Sequence, residues 1–262
     1  MSNIVVLVKQ VPDTYSERKL TDDDFTLDRD SADAVLDEIN ENAVEAALQL
    51  KEADSSRNVI VLSVGPQRAT EALRKALSLG CDEAKLVIDD NLAGSDALGT
   101  AWTLSNALNQ IEDIELIITG NASTDGGAGS VPGLLAEYRQ IPALTHMEEL
   151  TVEGGKVTGK RVTEEGVFGL EAPTPAIVSV TEKSNTPRFA AFKGIMAAKK
   201  KTIEELSLEE IGVDAANVGL ANATTSVSAS TPKPPKSAGE IVNDEGEGGK
   251  QLVEFLVKEK LV

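Results

Sequence analysis

The part of this sequence with the strongest chemical signal is the glycine loop, "GNASTDGGAGSVPG", at residues 120–133. Its five glycines let the backbone turn sharply and approach a ligand, and the helix predicted to begin near Val131 starts with unpaired N–H groups. Such groups attract phosphate and other anions, and Ser123, Thr124 and Ser130 could add hydroxyl donors. The loop therefore predicts a nucleotide or anion site, with a merely tight strand-to-helix turn as the alternative.

The spacing of the glycine loop matches neither G-x-G-x-x-G nor the P-loop, and it contains no lysine to reach a terminal phosphate. Triphosphate hydrolysis is thus poorly supported. Asp125 is interpreted as a turn and capping residue rather than a metal ligand. Because Cys81 and His146 are the only residues of their types, chemistry built on cysteine or histidine pairs is not expected. Cys81 is interpreted as a packing residue and His146 as a half-buried structural one.

A second stretch, "NTPRFAAFKGIMAAKKK" at residues 185–201, is called the basic stretch because it holds five cationic side chains and no acidic one. Phe189, Phe192, Ile195 and Met196 recur at helical spacing, which indicates an apolar cluster with cations around it. The alternative is a surface helix that packs its apolar side inward. The residues alone slightly favour that alternative.

Composition limits the partners of this chain. It has 262 residues, 43 acidic and 25 basic side chains, and a net charge of −18. Nucleic acid and anionic lipid are held mainly by Lys and Arg, so neither is an expected partner. No apolar run approaches the ~18 residues of a membrane span, and the start has no signal-peptide pattern, so we expect a cytoplasmic protein without membrane insertion.

Two alternating periodicities predict the elements that position these stretches. Short apolar runs at 3–8, 58–64, 84–88 and 115–120 are typical of strands covered on both faces, and helical patterns lie at 41–53, 67–79 and 96–110. Trp102 in the third helix is expected in the core. The order predicts a doubly wound α/β fold with a mainly parallel sheet, whose ligand lies at the carboxyl ends of the strands.

After Pro142 the pattern becomes alternating, which predicts a hairpin around Gly154-Gly155 and then a strand at 176–181, hence a mixed sheet. Residues 222–250 are rich in Ser, Thr, Pro and Gly and are expected to be extended, and the chain ends in an apolar helical pattern, "QLVEFLVKEKLV". We therefore predict an α/β domain at 1–221 and an arm at 222–262 that reaches onto another chain, or alternatively onto its own core.

Several segments together resemble the β subunit of electron transfer flavoprotein over nearly the whole chain. They are "VVLVKQVPDT", "NENAVEAALQLKE", "VLSVGP", "ALSLGCDEA", "GNASTDGGAGSVPGLLAEY" and "NTPRFAAFKGIMAAKKK" followed by "EEIGVD". The resemblance implies an adenine-nucleotide-binding Rossmann-like core and an electron carrier rather than an enzyme. It implies a partner α subunit that holds most of the FAD, and a structural AMP in this chain. It also implies docking of flavin dehydrogenases such as acyl-CoA dehydrogenases of fatty acid oxidation, with a membrane quinone oxidoreductase as acceptor.

The resemblance assigns roles to particular residues of this sequence. The implied AMP site comprises Leu7, Asn40, Val64, Gly120, Asn121, Ala122, Ser123, Thr124, Asp125, Gly126, Gly127, Ala128, Gly129, Ser130 and Val131. The implied docking residues are Pro187, Arg188, Phe189, Phe192, Ile195 and Met196. Tyr15 lies one place from the position at which the family brings a tyrosine near the flavin, and the resemblance carries that role to it. The loop departs from the family's frequent "GKQAIDGDTGQV", and Phe192 replaces an aliphatic anchor.

Two other functions remain at this point. A free-standing AMP- or ATP-binding regulatory module, similar to stress-response proteins, explains the glycine loop but gives no role to the basic stretch or the arm. An enzyme that activates a substrate with ATP would need a glycine-serine loop after the first strand, where this chain has "KQVPDT".

Overall fold

Apolar runs with β-branched side chains form the centre of a nine-stranded sheet in this computed structural model, which describes residues 2–236, 239 and 241–262. The chain divides into a first unit that ends at Ser228 and a second that begins at Ala229. The first unit is the predicted mixed α/β fold.

The described residues form the following strands: β1 (Ser2–Leu7), β2 (Gln10–Pro12), β3 (Ala34–Leu36), β4 (Arg57–Val64), β5 (Glu83–Val87), β6 (Ile114–Gly120), β7 (Ala143–Glu153), β8 (Lys156–Thr163), β9 (Gly166–Pro173), β10 (Ala176–Val180) and β11 (Ile203–Leu206). Their helices are α1 (Glu38–Ala53), α2 (Thr70–Leu79), α3 (Ala97–Leu108), α4 (Val131–Arg139), α5 (Phe192–Ala198) and α6 (Gly248–Lys258). Short 3₁₀ turns lie at Gln67–Ala69, Asp90–Leu92, Ala215–Asn217 and Leu220–Asn222.

The large sheet has the order β11-β5-β4-β1-β6-β10-β7-β8-β9, and its strands from β11 to β7 are parallel. The chain moves outward from β1 to β4 and β5 and then returns to place β6 on the other side of β1. This reversal creates the switch point at which α/β proteins usually bind ligands. The four apolar runs are confirmed as strands, each within one residue of its predicted bounds.

Helices cover both faces of this sheet because successive strand residues point to opposite sides. Ile4 and Val6 pack toward α1 and α2, whereas Val5 and Leu7 pack toward α3 and α4. Cys81 is fully buried, as expected of a packing residue. The core prediction for Trp102 was wrong: the residue is 38% exposed, and its ring meets the Tyr138 ring edge-on, with 5.5 Å between centroids.

Beyond β7 the sheet becomes antiparallel, which confirms the predicted mixed sheet. β7 pairs with β8, and β8 with β9, and Gly154 and Gly155 form the first turn with positive φ angles. His146 is exposed rather than half-buried, because its strand is irregular there and its backbone N–H donates to Ser179 Oγ at 2.9 Å. No helix within the described ranges has both the length and the apolar character of a membrane span.

The second unit contains α6, which matches the apolar pattern predicted for the end of the chain. Leu252, Val253 and Val257 in this helix are each more than half exposed, and Phe255 is 45% exposed. The predicted linker includes residues 237, 238 and 240, which lie outside the described residues. Its first part belongs to the first unit, since Thr224 donates to Asp96 Oδ2 through both its backbone N–H and its hydroxyl.

Candidate functional site

Three of the predicted nucleotide-site residues lie at the carboxyl ends of adjacent strands. Leu7 ends β1, Val64 ends β4 and Gly120 ends β6. Because β1 lies between the other two strands, these ends form one edge of the sheet at the switch point. The loops that leave this edge are the loop after Leu7, the turn after Val64 and the glycine loop.

A fourth predicted residue, Asn40, packs directly against this edge from the first turn of α1. A Cβ atom at Gly120 would lie 2.8 Å from Asn40 Nδ2 and 3.0 Å from Ile39 Cγ2, so a side chain there would force the Asn40 amide to move. Asn40 Oδ1 also accepts a hydrogen bond of 2.7 Å from the backbone N–H of Lys9. Asn40 thus joins the loop after β1 to the end of β6.

Asp37 holds the glycine loop against α1. Its buried carboxylate caps the helix through Oδ1, which accepts from the N–H of Ile39 at 3.0 Å. Its Oδ2 accepts from the backbone N–H and the hydroxyl of Thr124, at 2.7 and 3.0 Å. Arg18 reaches the same residue from the loop after β1 and donates to Thr124 O and Oγ1. The centre of the glycine loop is therefore fixed from two sides.

The Asp125 carboxylate lies between two cations. Lys9 Nζ lies 2.8 Å from Oδ1 and Arg29 Nη1 lies 3.2 Å from Oδ2, and the side chain of Asp125 is 1% exposed. Burial alone would raise the pKa of Asp125, but the Lys9 charge and hydrogen bonds from Lys9, Ser123 and Gly126 N–H hold that pKa well below its usual range. These contacts give Asp125 the geometry of a residue that shapes the loop.

The rest of the glycine loop presents groups that could contact a ligand. Gly127 and Gly129 have φ angles of 62° and 63°, which side chains rarely adopt. Ser130 precedes α4 without a side-chain cap, so the first N–H groups of that helix are not capped. Asn121 Oδ1 is buried and has no hydrogen-bond partner among the described residues. A buried acceptor without a partner costs free energy unless a ligand or water donates to it.

Tyr15 is not brought into this cluster. The residue is 97% exposed, and its backbone N–H donates to Asp13 Oδ1 at 2.9 Å. The sequence analysis missed Lys9, Arg18, Arg29 and Asp37, all of which contact the glycine loop. Of these four, only Lys9 could have been suspected from the sequence, because it directly follows the first predicted strand and so lies at the carboxyl edge of the sheet.

The basic stretch begins as a segment without regular secondary structure and continues as α5. Phe189 is 98% and Phe192 79% exposed, and Ile195 and Met196 are 40% and 43% exposed. Within α5 the buried residue is Ala198, which packs into the core beside α2. This segment therefore presents two aromatic rings to solvent.

The cations of the basic stretch fall into two groups. Lys193, Lys199 and Lys200 are exposed and form no ion pair with any part of the chain that the structure describes. The Arg188 guanidinium instead contacts Glu45 and Glu52 of α1, and Lys201 Nζ donates to Cys81 O at 2.6 Å. Three of the five cations thus remain directed toward solvent.

The fold and this site define a doubly wound α/β protein with a glycine loop at its switch point and an exposed aromatic segment outside the sheet. The model of the electron transfer flavoprotein domain matches residues 24–211, and the chain belongs to the electron transfer flavoprotein family. Its similarity extends over the full length to beta subunits of that family.

Three relatives illustrate this similarity. The chain is 60% identical to electron transfer flavoprotein subunit beta of Mycobacterium tuberculosis over 266 residues, with 100% of both chains covered. It is 35% identical to the subunit of the same name from Megasphaera elsdenii, covering 99% of this chain and 97% of that one. It is 32% identical to the caffeyl-CoA reductase-Etf complex subunit CarD of Acetobacterium woodii, with 91% of each chain covered.

Proposed function

We propose that this chain is the nucleotide-binding and docking half of a heterodimeric electron carrier. In this role it binds AMP, completes the FAD site of an alpha subunit and docks flavin dehydrogenases. The observation that carries the proposal is the pair of exposed rings, Phe189 and Phe192, on a segment that lies outside the sheet. A protein without a partner gains nothing from exposing two phenylalanines, whereas a docking surface needs such anchors.

The switch-point edge supports AMP as the bound nucleotide. The uncapped N-terminus of α4 and the exposed part of Lys9 suit a phosphate group. Asn121 Oδ1 is a buried acceptor that suits a donor such as an exocyclic amine or a ribose hydroxyl. A side chain at Gly120 would displace the Asn40 amide from the end of the strand. These residues fit a nucleoside monophosphate, and no lysine in the glycine loop is placed to reach a longer phosphate chain.

The FAD of the proposed heterodimer would supply electron transfer in one-electron and two-electron steps. This chain contributes binding and orientation. The loop after β1 leaves the same edge as the glycine loop, and Tyr15 on that loop is exposed and accessible to a second subunit. The acyl-CoA dehydrogenases of fatty acid oxidation are the proposed donors, and a membrane quinone oxidoreductase is the proposed acceptor.

The test is purification of this chain under native conditions from its own cells. The visible spectrum, the masses of the co-purified proteins and the nucleotides released by denaturation are then recorded. A yellow complex of two chains that releases FAD and AMP is the expected result. A colourless single chain that holds AMP or ATP would instead support a regulatory nucleotide-binding module and overturn the proposal.

A further inference from the structure

We propose that Arg188 is a positioning residue, which acts together with Glu45 and Glu52 of α1 to hold Phe189 and Phe192 in the geometry that docking needs. This inference rests on the proposed docking function. It differs from the role that the resemblance implies for Arg188, which is that of a docking residue itself.

The contacts of Arg188 are directed into the protein. Its Nε and Nη2 donate to the two carboxylate oxygens of Glu45 at 2.7 and 3.0 Å, and its Nη1 donates to Glu52 Oε1 at 2.6 Å. The backbone N–H of Arg188 adds a bond of 3.2 Å to Glu45 Oε2. A guanidinium that meets a carboxylate with two parallel bonds fixes direction as well as distance. The residue before Phe189 is therefore held in one orientation.

Glu45, which accepts the hydrogen bonds from Arg188, is buried and is held by a second residue of α1. The residue is 5% exposed, and Gln49 Nε2, one turn further along α1, donates to its Oε1 at 2.9 Å. Burial raises the pKa of Glu45, but hydrogen bonds from Arg188 and Gln49 outweigh it and leave that pKa below its usual value. A carboxylate that stays charged in a buried position needs its cation, so the two residues form one unit.

A pair of amides fixes the chain just before this unit. Asn42 Nδ2 donates to Asn185 O at 2.9 Å, and Asn185 Nδ2 donates back to Asn42 O at 3.0 Å. Asn42 lies three residues before Glu45, so both contacts come from the same side of α1. The segment that enters the basic stretch is thus attached to α1 at two successive points.

The other end of the basic stretch is attached to α2. Arg74 donates to the carbonyl oxygens of Ala198 and Lys201, which closes the end of α5. A Cβ atom at Gly194 would lie 2.4 Å from Ser78 O, so α5 packs against α2 at a distance that only glycine allows. The exposed rings lie between these two attachments. Their exposure is therefore imposed by contacts elsewhere in the segment.

This arrangement has a clear physical advantage for a docking surface. An anchor that is already held in its bound geometry loses less conformational entropy when it enters a pocket. Without the contacts of Arg188 with Glu45 and Glu52, the residues before α5 would have to become ordered each time the partner binds. The unit is thus expected to affect how readily the partner is bound, and to leave the electron-transfer step after binding unchanged.

The test uses the flavin-loaded heterodimer, with an acyl-CoA dehydrogenase reduced by its acyl-CoA as the probe. The rate is measured against heterodimer concentration for Glu45→Gln, Arg188→Lys and Arg188→Ala. Glu41→Gln is the matched control, because Glu41 lies one turn earlier on α1 and pairs with Lys75 instead. Phe192→Ala reports on docking itself, and hydrogen exchange of the amides at 189–198 reports on order.

We expect Glu45→Gln to raise KM on the order of tenfold, with kcat unchanged and faster exchange at 189–198. Arg188→Lys should lose most of the same affinity, because an ammonium group cannot make the paired contact. Glu41→Gln should behave as the unmodified protein. If Arg188 instead faced the partner, Glu45→Gln would leave KM unchanged or lower it, and Arg188→Lys would retain function.

Either of those results would overturn the positioning role while Phe192→Ala still raised KM. If Phe192→Ala also left KM unchanged, the docking function itself would fail, and the positioning role with it. The two failures are therefore distinguished within one set of measurements.

Discussion

The Asp37 carboxylate joins the first turn of α1 to Thr124, which lies 87 residues further along the chain. One oxygen caps the helix and the other holds the glycine loop, so a single buried side chain orders two elements of the candidate nucleotide site.

Asp37→Ala should lower both stability and nucleotide retention. It removes a helix cap and leaves the Thr124 N–H without its acceptor, which together cost roughly 2 to 4 kcal/mol. We expect a Tm lower by about 5 to 10 °C and less AMP released per mole of purified protein. Asp214→Ala is the control, because Asp214 also caps a short helix, through Ala216 N–H, without touching the loop. Equal AMP content in the two variants would contradict the role given to Asp37.

Asp125→Asn should destabilise the protein in a manner that depends on pH. The pKa of Asp125 is lowered in the folded state, so its contribution is complete above the unfolded value of about 3.9 and is lost as pH falls toward the folded pKa. The variant should therefore be less stable than the unmodified chain at pH 7, and the difference should shrink below pH ~4. Urea unfolding from pH 7 to pH 3 measures this.

Asp30→Asn provides the comparison for that series, since Asp30 pairs with Arg68 but its side chain is 94% exposed. Exposed pairs of this kind contribute little. A difference between the unmodified chain and Asp125→Asn that stayed constant with pH would show that the ion pairs with Lys9 and Arg29 do not stabilise the loop.

The Cys81 thiol should be unreactive in the folded protein. Burial, with the nearby Asp82 charge, raises the pKa of Cys81 to about 12, so very little thiolate forms at pH 8. A thiol reagent such as Ellman's reagent should give no colour until denaturant is added, and then one equivalent. Cys81→Ala supplies the blank. Rapid reaction of the native chain would mean that the α2 end opens readily.

Removal of residues 229–262 should weaken assembly with the alpha subunit and leave the first unit folded. The exposed apolar side chains of α6 suit a surface on another chain, and their loss removes that contact. Thermal unfolding and size-exclusion chromatography with the alpha subunit measure the two effects. The cut is made after Ser228, because a cut after Asn222 would also remove the bonds from Thr224 and Thr225 to Asp96. If the shortened chain assembled with the alpha subunit as well as the full chain does, the second unit would have no role in assembly.

The sequence was sufficient for the sheet because its signal is local. Runs such as residues 58–64 are short, rich in β-branched residues and apolar on both faces, which is typical of a strand covered on both sides. The start of α4 was also predictable, since Pro132 fits the first turn of a helix. By contrast, Trp102 belongs to the apolar stripe of α3 but lies at the edge of that stripe, where α3 meets α4. The spacing of apolar residues does not show which of them lie at the edge of the buried face.

The candidate site was only partly predictable, because its contacts join distant parts of the chain. Lys9 and Arg29 meet Asp125 across about a hundred residues, and no periodicity encodes such a meeting. The orientation of Arg188 is a similar case. The resemblance placed Arg188 among the docking residues, whereas Glu45, the residue that decides its direction, is 143 residues away.

Arg188 and Lys201 contact other parts of this chain, so the charges of the basic stretch that face solvent are Lys193, Lys199 and Lys200. The chain as a whole has a net charge of −18. At an ionic strength of about 0.15 M, charges act over a Debye length of only about 8 Å. Long-range attraction would therefore contribute little to finding a partner, and the two rings must supply most of the recognition. Such a carrier should keep its association rate across a wide range of salt concentrations, since burial of apolar surface does not weaken as added ions screen charges.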